Sequence, residues 1–300
     1  MSLLSEALKR LLAQEQPLNA SAFTQSQRKE LEQFALNTRL IEVKKQGNGV
    51  VYRLIDRQNI SNYIRQLHPM EDEQLLSLLP KRSRNIGTDL SSKKGQSGHD
   101  SFYLLMKAWD CDVVWQCGDN TMNPSELTKR LGVAAMQVST NNAWHCNRPL
   151  LLVENQALFD RCDWLPDEFN GCLVYYAGQL SEVLLKWFSE QKRANDVILF
   201  PDYDGIGLTN YARLAGMLHP NSTLHFYWLT DWENKLPIYG NAEVWSKTRI
   251  QFENAMQKLD NMNALNSDLI KLGQLSQRCG KALEQEAIWL YASEPVVLKF

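Results

Sequence analysis

The chain has 300 residues, 44% of them apolar, enough for a real core in one large domain or two to three ordinary ones. Its formal net charge of −2 hides an asymmetry: residues 1–110 hold 16 Lys and Arg against 12 Asp and Glu, and residues 111–300 hold 16 against 22. The six cysteines form no Cys-x-x-Cys pair, which argues against a zinc knuckle or a disulfide framework and for buried, reduced thiols.

A basic front and an acidic rear fit a DNA-binding part joined to a metal-binding part. The first residues contain no long apolar segment of signal-peptide type, and no run approaches the length of a membrane span. A cytoplasmic, nucleoid-associated protein with no membrane partner is therefore expected.

Residues 1–60 read as a winged helix-turn-helix. Ser5–Gln14 places Ala7, Leu8, Leu11 and Leu12 at helical spacing, Asn19–Phe23 is a short second helix, and Ser26–Asn37 is a third. Two strands, Leu40–Lys45 and Val50–Ile55, then flank Gln46-Gly-Asn-Gly49, a strong hairpin turn. Arg28 and Lys29 on the third helix, and Lys44 and Lys45 on the hairpin, are suited to phosphates or base edges of double-stranded DNA.

Residues 61–110 read as a basic linker of helix and loop. A helix over Ile60–Leu67 is followed by Pro80–His99, polar and poor in apolar residues, which predicts a mobile loop. Its cations Lys81, Arg82, Arg84, Lys93 and Lys94 would track a nucleic-acid backbone.

From residue 111 onward the pattern changes to alternating strands and helices. Asp110–Cys117 reads as a strand and Ser125–Leu131 as a short helix. The apolar stretch Pro149–Gln156 reads as a strand ending in Glu154; Gly171–Gly178 is a second, followed by the Ser181–Glu190 helix. Val197–Phe200 is a third strand, leading into Pro-Asp202-Tyr-Asp204-Gly-Ile-Gly and a helix over 208–218; Leu224–Leu229 is a fourth. His225, inside that apolar run, is expected to be a satisfied core histidine. Parallel strands would align their C-terminal ends, so that Glu154, Asp202 and Asp204 converge there. One acid suffices to cap a helix; a second at i+2 beside two glycines suits a divalent cation, Mg²⁺ or Mn²⁺. Beyond the fourth strand, Trp232–Trp245 reads as loop because of Pro237 and Gly240, and helices follow over 246–259 and 267–278. Ala282–Trp289 reads as a last helix. Its Glu284 and Glu286 would face different sides, so at most one joins a site; Glu286 is the metal-ligand candidate.

The ordered set of Leu-Val-Glu154-Asn, Phe-Pro-Asp202-Tyr-Asp204-Gly-Ile-Gly and Leu-Glu-Gln-Glu286 resembles the Toprim domain shared by topoisomerases, primases and several nucleases. With the winged helix in front, the chain is similar to the JetD-like (MksG-like) nuclease subunits of Wadjet-type plasmid-defence systems, relatives of the topoisomerase VI A subunit. The resemblance implies an α/β fold, with an N-terminal winged helix-turn-helix (1–60) and a Rossmann-like Toprim domain with C-terminal helices (111–300). It further implies a homodimeric, metal-dependent DNA endonuclease working beside an SMC-like ATPase and its kleisin. The expected catalytic carboxylates are Glu154, Asp202 and Asp204. The N-terminal tyrosines Tyr52 and Tyr63 lack the Arg-Asp-x-Tyr-Tyr-like setting of the topoisomerase subunit, which favours hydrolysis by water over a phosphotyrosine. The other readings are a catalytically silent DNA-binding adaptor and a Toprim enzyme acting on RNA or nucleotides.

Overall fold

The computed structural model describes residues 3–47, 49–67, 70, 73–93, 101–139 and 142–291. The chain divides into two compact units, Met1–His99 and Asp100–Phe300.

In the first unit the element order is α1 (Leu3–Leu12), β1 (Leu18–Asn19), α2 (Gln25–Thr38), β2 (Ile41–Gln46), β3 (Gly49–Leu54), α3 (Arg57–Leu67), α4 (Glu73–Leu78) and α5 (Lys81–Asp89), with a 3₁₀ turn at Ala20–Ala22. A reciprocal capping box starts α2: Gln27 N–H donates to Thr24 Oγ1 at 3.2 Å, and Thr24 N–H donates to Gln27 Oε1 at 3.1 Å. The helix stops at Arg39, whose left-handed φ of 58° lets its N–H close on Ala35 O. The three strands form an antiparallel sheet in the order β1-β3-β2. Leu8, Leu31, Phe34, Tyr52 and Ile60 fill the core beneath it. Tyr52 is fully buried, with its hydroxyl on Glu32 Oε1 at 3.0 Å.

The stretch expected to be a mobile loop is helical over Lys81–Asp89. Arg84 is the reason it holds: its guanidinium donates to the carbonyls of Leu76, Ser77 and Leu79, ending α4 where backbone acceptors are left over. Lys94 and His99 lie outside the described residues.

The second unit contains β4 (Phe102–Lys107), β5 (Trp115–Cys117), β6 (Asn120–Met122), α6 (Pro124–Leu131), β7 (Ala134–Val138), β8 (His145–Cys146), β9 (Leu150–Val153), α7 (Gln156–Asp160), β10 (Cys172–Tyr175), α8 (Glu182–Glu190), β11 (Asp196–Phe200), α9 (Gly205–Met217), β12 (Thr223–Phe226), α10 (Trp232–Tyr239), α11 (Ala242–Asn261) and α12 (Ser267–Cys279). It is a mixed α/β unit around a six-stranded sheet ordered β12-β11-β9-β10-β4-β7. The first four are mutually parallel, while β4 and β7 add antiparallel pairings at one side. Every residue of β9 is buried, as a strand covered on both faces requires. Short strands β6, β5 and β8 make a separate sheet, so only Trp115–Cys117 of the expected Asp110–Cys117 strand is extended and paired.

Three further expectations are corrected. Phe102–Lys107, assigned to the linker, is a strand of the main sheet, paired with β10 and β7. Trp232–Tyr239 is a helix despite Pro237, because Trp232 and Leu236, one turn apart, are buried on it and proline costs a short helix one backbone bond. His225 is not a core residue: its side chain is half exposed at the edge strand and pairs with Asp196 Oδ1 at 2.9 Å. The cysteines are free, but only Cys146 and Cys172 are buried and Cys111 is exposed.

Helix α9 starts against α11 so closely that residue 205 must be glycine. A Cβ there would lie 2.0 Å from Thr248 O and 2.8 Å from Phe252 N, both backbone atoms. Gly205→Ala is expected to cost about 3 kcal/mol or more in a urea unfolding experiment, since two helices must separate. A change below about 0.5 kcal/mol, the size of an ordinary surface substitution, would contradict this packing.

Candidate metal centre

Because β9, β10, β11 and β12 run parallel, their C-terminal ends lie along one edge of the sheet. Val153 pairs with Phe200, and the chains leaving these two residues carry Glu154 on one side and Asp202-Tyr203-Asp204 on the other. The C-terminal segment returns to this edge: Tyr203 and Leu283 form an antiparallel bridge, which brings Gln285 and Glu286 alongside. Glu286 belongs to a 3₁₀ turn, Gln285–Trp289, and not to the expected α-helix; Glu284 points to solvent.

Each acid has its own holder. Glu154 Oε2 accepts from the hydroxyl of the buried Tyr176 at 3.0 Å. Tyr176 is in turn hydrogen-bonded to Asn210, a fully buried side chain that also fixes the turn after β10 through Gly178 O and Leu180 N. Asp202 Oδ1 accepts from Gln285 N–H at 2.8 Å. Asp204 caps α9, its Oδ1 taking the N–H groups of Ile206 at 2.9 Å and Gly207 at 2.8 Å. Glu286 Oε1 accepts from Asn155 Nδ2. Between the two aspartates, Tyr203 points into the core and anchors the loop, donating to Tyr227 O at 2.9 Å and accepting from Leu229 N–H at 2.6 Å. Gly207 permits the turn, since a Cβ there would sit 2.1 Å from Asp202 O.

The electrostatics are those of an uncompensated acidic cluster. Burial pushes the Glu154 carboxyl up to about 7 against the opposing bond from Tyr176, and the charges of Asp204 and Glu286 push it the same way. Burial, and then the charge of Glu154, push Asp202 up to about 8, with Asp204 and Glu286 contributing less. Burial raises Asp204 as well, opposed by its two helix N–H groups. Among the described residues no Lys, Arg or His forms an ion pair with any of the four.

One buried and three half-buried carboxylates without a cationic side chain form a donor set for a hard divalent cation. Their oxygens are not drawn together. Among the described residues, the only three ligand atoms within 4.8 Å of one another are those of Asp110, Cys111 and Asp112. At the sheet edge each acid is held by a donor of its own. Asp110–Asp112 are consecutive residues of a surface turn, closed by Asp112 N–H on Asp110 Oδ1 at 2.8 Å and flanked by Arg148.

The cations proposed from the sequence belong to the first unit; Lys94 lies outside the described residues. Lys29 and Lys45 are exposed. Arg28 Nε is engaged by Phe23 O at 3.0 Å, Lys44 pairs with Glu42 at 2.9 Å, and Arg84 holds the end of α4. The residues that sequence reasoning missed are Tyr176, Asn155 and Gln285. Tyr176 carried one signal: a tyrosine just past a buried strand, at the level of Glu154 on the neighbouring strand.

An acidic cluster at the C-terminal edge of the parallel strands of an α/β unit defines the class: an α/β protein with a candidate divalent-cation site. The chain belongs to the family described as domain of unknown function DUF7281, whose match covers residues 105–293 and includes all four acids. Among curated proteins, none matches the chain. No helix among the described residues is long and apolar enough to cross a membrane.

Proposed function

We propose that the second unit is a Toprim-type domain binding Mg²⁺ or Mn²⁺ through Glu154, Asp202 and Asp204, with Glu286 beside them, and that it hydrolyses DNA phosphodiesters. The observation that carries this reading is the convergence of these acids, Asp204 buried and the other three half-buried, on one edge of the parallel strands from positions up to 132 residues apart in the chain. Bound there, a divalent cation would supply Lewis acidity at phosphorus and a water acidic enough to ionise near neutral pH. Glu154, Asp202 and Asp204 would hold it, and Glu154 would have a second part. Glu154 has Oε2 fixed by Tyr176, which leaves Oε1 to orient the attacking water and take its proton. Water adds to phosphorus, the bond to one sugar oxygen breaks, and a phosphomonoester and a hydroxyl remain.

The first unit supports the DNA half of the proposal as a winged helix-turn-helix. Its α1-β1-3₁₀-α2-β2-β3 order, with exposed Lys29 on α2 and Lys45 on the β2–β3 hairpin, suits a duplex. Two such chains in a homodimer would bring one metal edge to each strand, as a double-strand cut needs. By the family resemblance, an SMC-like complex would be the partner.

The test is incubation of supercoiled plasmid with the full chain in Mg²⁺ or Mn²⁺, and with the metal chelated. Metal-dependent nicking or linearisation is expected; intact plasmid with bound protein would favour the silent adaptor. A separate anisotropy titration tests the front of the chain. Replacing Lys81, Arg82, Lys93 and Lys94 with Gln, and sparing Arg84 for its structural bonds, is expected to flatten log K against log[salt] by roughly 0.9 for each phosphate no longer neutralised. Equal slopes for wild type and variant would show that this segment does not touch DNA.

A further inference from the structure

The parallel ladder between β9 and β11 ends at Val153 and Phe200, just where the two acid-bearing segments begin. Beyond that point the side-chain amide of Gln285 takes the place of the next backbone rung. Its Oε1 accepts from Asn155 N–H at 3.1 Å, on the segment leaving β9, and its Nε2 donates to Phe200 O, at the end of β11. Its own backbone N–H reaches Asp202 Oδ1 at 2.8 Å. The next residue, Glu286, is joined to the Asn155 side chain. The Gln285 side chain is fully buried between these two backbone partners.

We propose that Gln285 is a positioning residue for the metal centre: its amide acts as a replacement peptide group that sets the gap between the Glu154 and Asp202 strand ends. The proposal rests on the metal-centre reading above. The chemistry is specific to this side chain. An amide offers one donor and one acceptor in the arrangement of a backbone rung, and does so uncharged at every pH. A glutamate would keep the acceptor for Asn155 N–H, lose the donor for Phe200 O, and add another negative charge. An asparagine is one methylene too short to span both strand ends. Methionine preserves the length and removes both bonds. Groups that orient metal ligands without touching the metal typically govern affinity by 10–100-fold, which sets the expected size of the effect.

The experiment measures Mn²⁺ binding by the full chain, from the free-ion electron paramagnetic resonance signal, together with plasmid cleavage as a function of Mn²⁺. The proteins are wild type, Gln285→Met, Gln285→Asn, Asp202→Asn and Glu154→Gln. Both Gln285 variants are expected to bind Mn²⁺ about 10-fold or more weakly. Their cleavage should recover at high Mn²⁺, because the ligands are intact and only their spacing is disturbed. Asp202→Asn should not recover. Should the methionine variant fail to fold, the asparagine variant, which retains an amide at the site, decides the question. Wild-type Mn²⁺ affinity in a folded Gln285 variant, alongside weakened binding in Asp202→Asn, overturns the positioning role and leaves the metal centre standing. Unchanged binding in Asp202→Asn and Glu154→Gln overturns the metal centre itself, and the positioning role with it.

Discussion

Asp202→Asn is expected to abolish metal-dependent cleavage while making the metal-free protein more stable above neutral pH. The substitution keeps the oxygen that accepts Gln285 N–H, so the turn is retained, and removes a charge that burial and Glu154 disfavour. The folded chain without metal must otherwise ionise this group at a cost. Each unit of upward displacement corresponds to about 1.4 kcal/mol, so a gain of roughly 2 to 3 kcal/mol at pH 8.5 is expected after allowance for relaxation of the pair. Glu154→Gln should behave alike, since its amide oxygen can still accept from Tyr176. Gains in stability with loss of function are a signature of a site built for a ligand and not for the fold. Thermal unfolding and plasmid cleavage on the same preparations check both halves. A variant that cuts DNA at the wild-type rate would remove Asp202 from the site.

The second large effect is on pH dependence. Both carboxyls are displaced upward, Glu154 from 4.5 to about 7 and Asp202 from 3.8 to about 8. The folded state therefore keeps protons that the unfolded chain releases. This contribution to stability is complete at pH values below the ordinary carboxyl range and is lost as pH rises toward the displaced values. Without metal, the melting temperature is expected to fall between about pH 5 and about pH 8.5. With saturating Mn²⁺ the dependence should weaken or reverse, because the ion binds the ionised carboxylates and displaces their protons. Parallel melting curves with Mn²⁺ and with chelator, across that range, measure this directly. Equal stabilisation by Mn²⁺ at pH 5.5 and 8 would show that these acids do not bind it.

How much of this was legible in the sequence depends on how local each cause is. Leu150–Val153 and Val197–Phe200 read as strands because burial on both faces leaves an unbroken apolar run. The acids following them read as convergent because parallel strands end on one edge. Phe102–Lys107 was missed as a strand of the main sheet because its pairing is remote: Leu105 lies opposite Tyr175. Its alternation, with Leu104 and Met106 buried and Tyr103 exposed, was the available signal. The helix over Lys81–Asp89 was hidden by its polar composition, since what fixes it is Arg84 bonding to the carbonyls of another helix. Leu283-Glu-Gln-Glu286 looks helical from its neighbours alone. A backbone bridge to Tyr203, eighty residues earlier, overrides that preference and turns Gln285 inward. No local pattern encodes such a bridge.

The proposed divalent-cation site lies among Glu154, Asp202 and Asp204. Its most direct test is a crystal of the full chain grown with Mn²⁺, with diffraction recorded near the manganese absorption edge. An anomalous peak is expected between the carboxylates of these three residues, with Glu286 beside it and Gln285 still bridging Asn155 and Phe200. Saturating Mn²⁺ with no peak there, or a peak only at Asp110 and Asp112 on the surface turn, would contradict it.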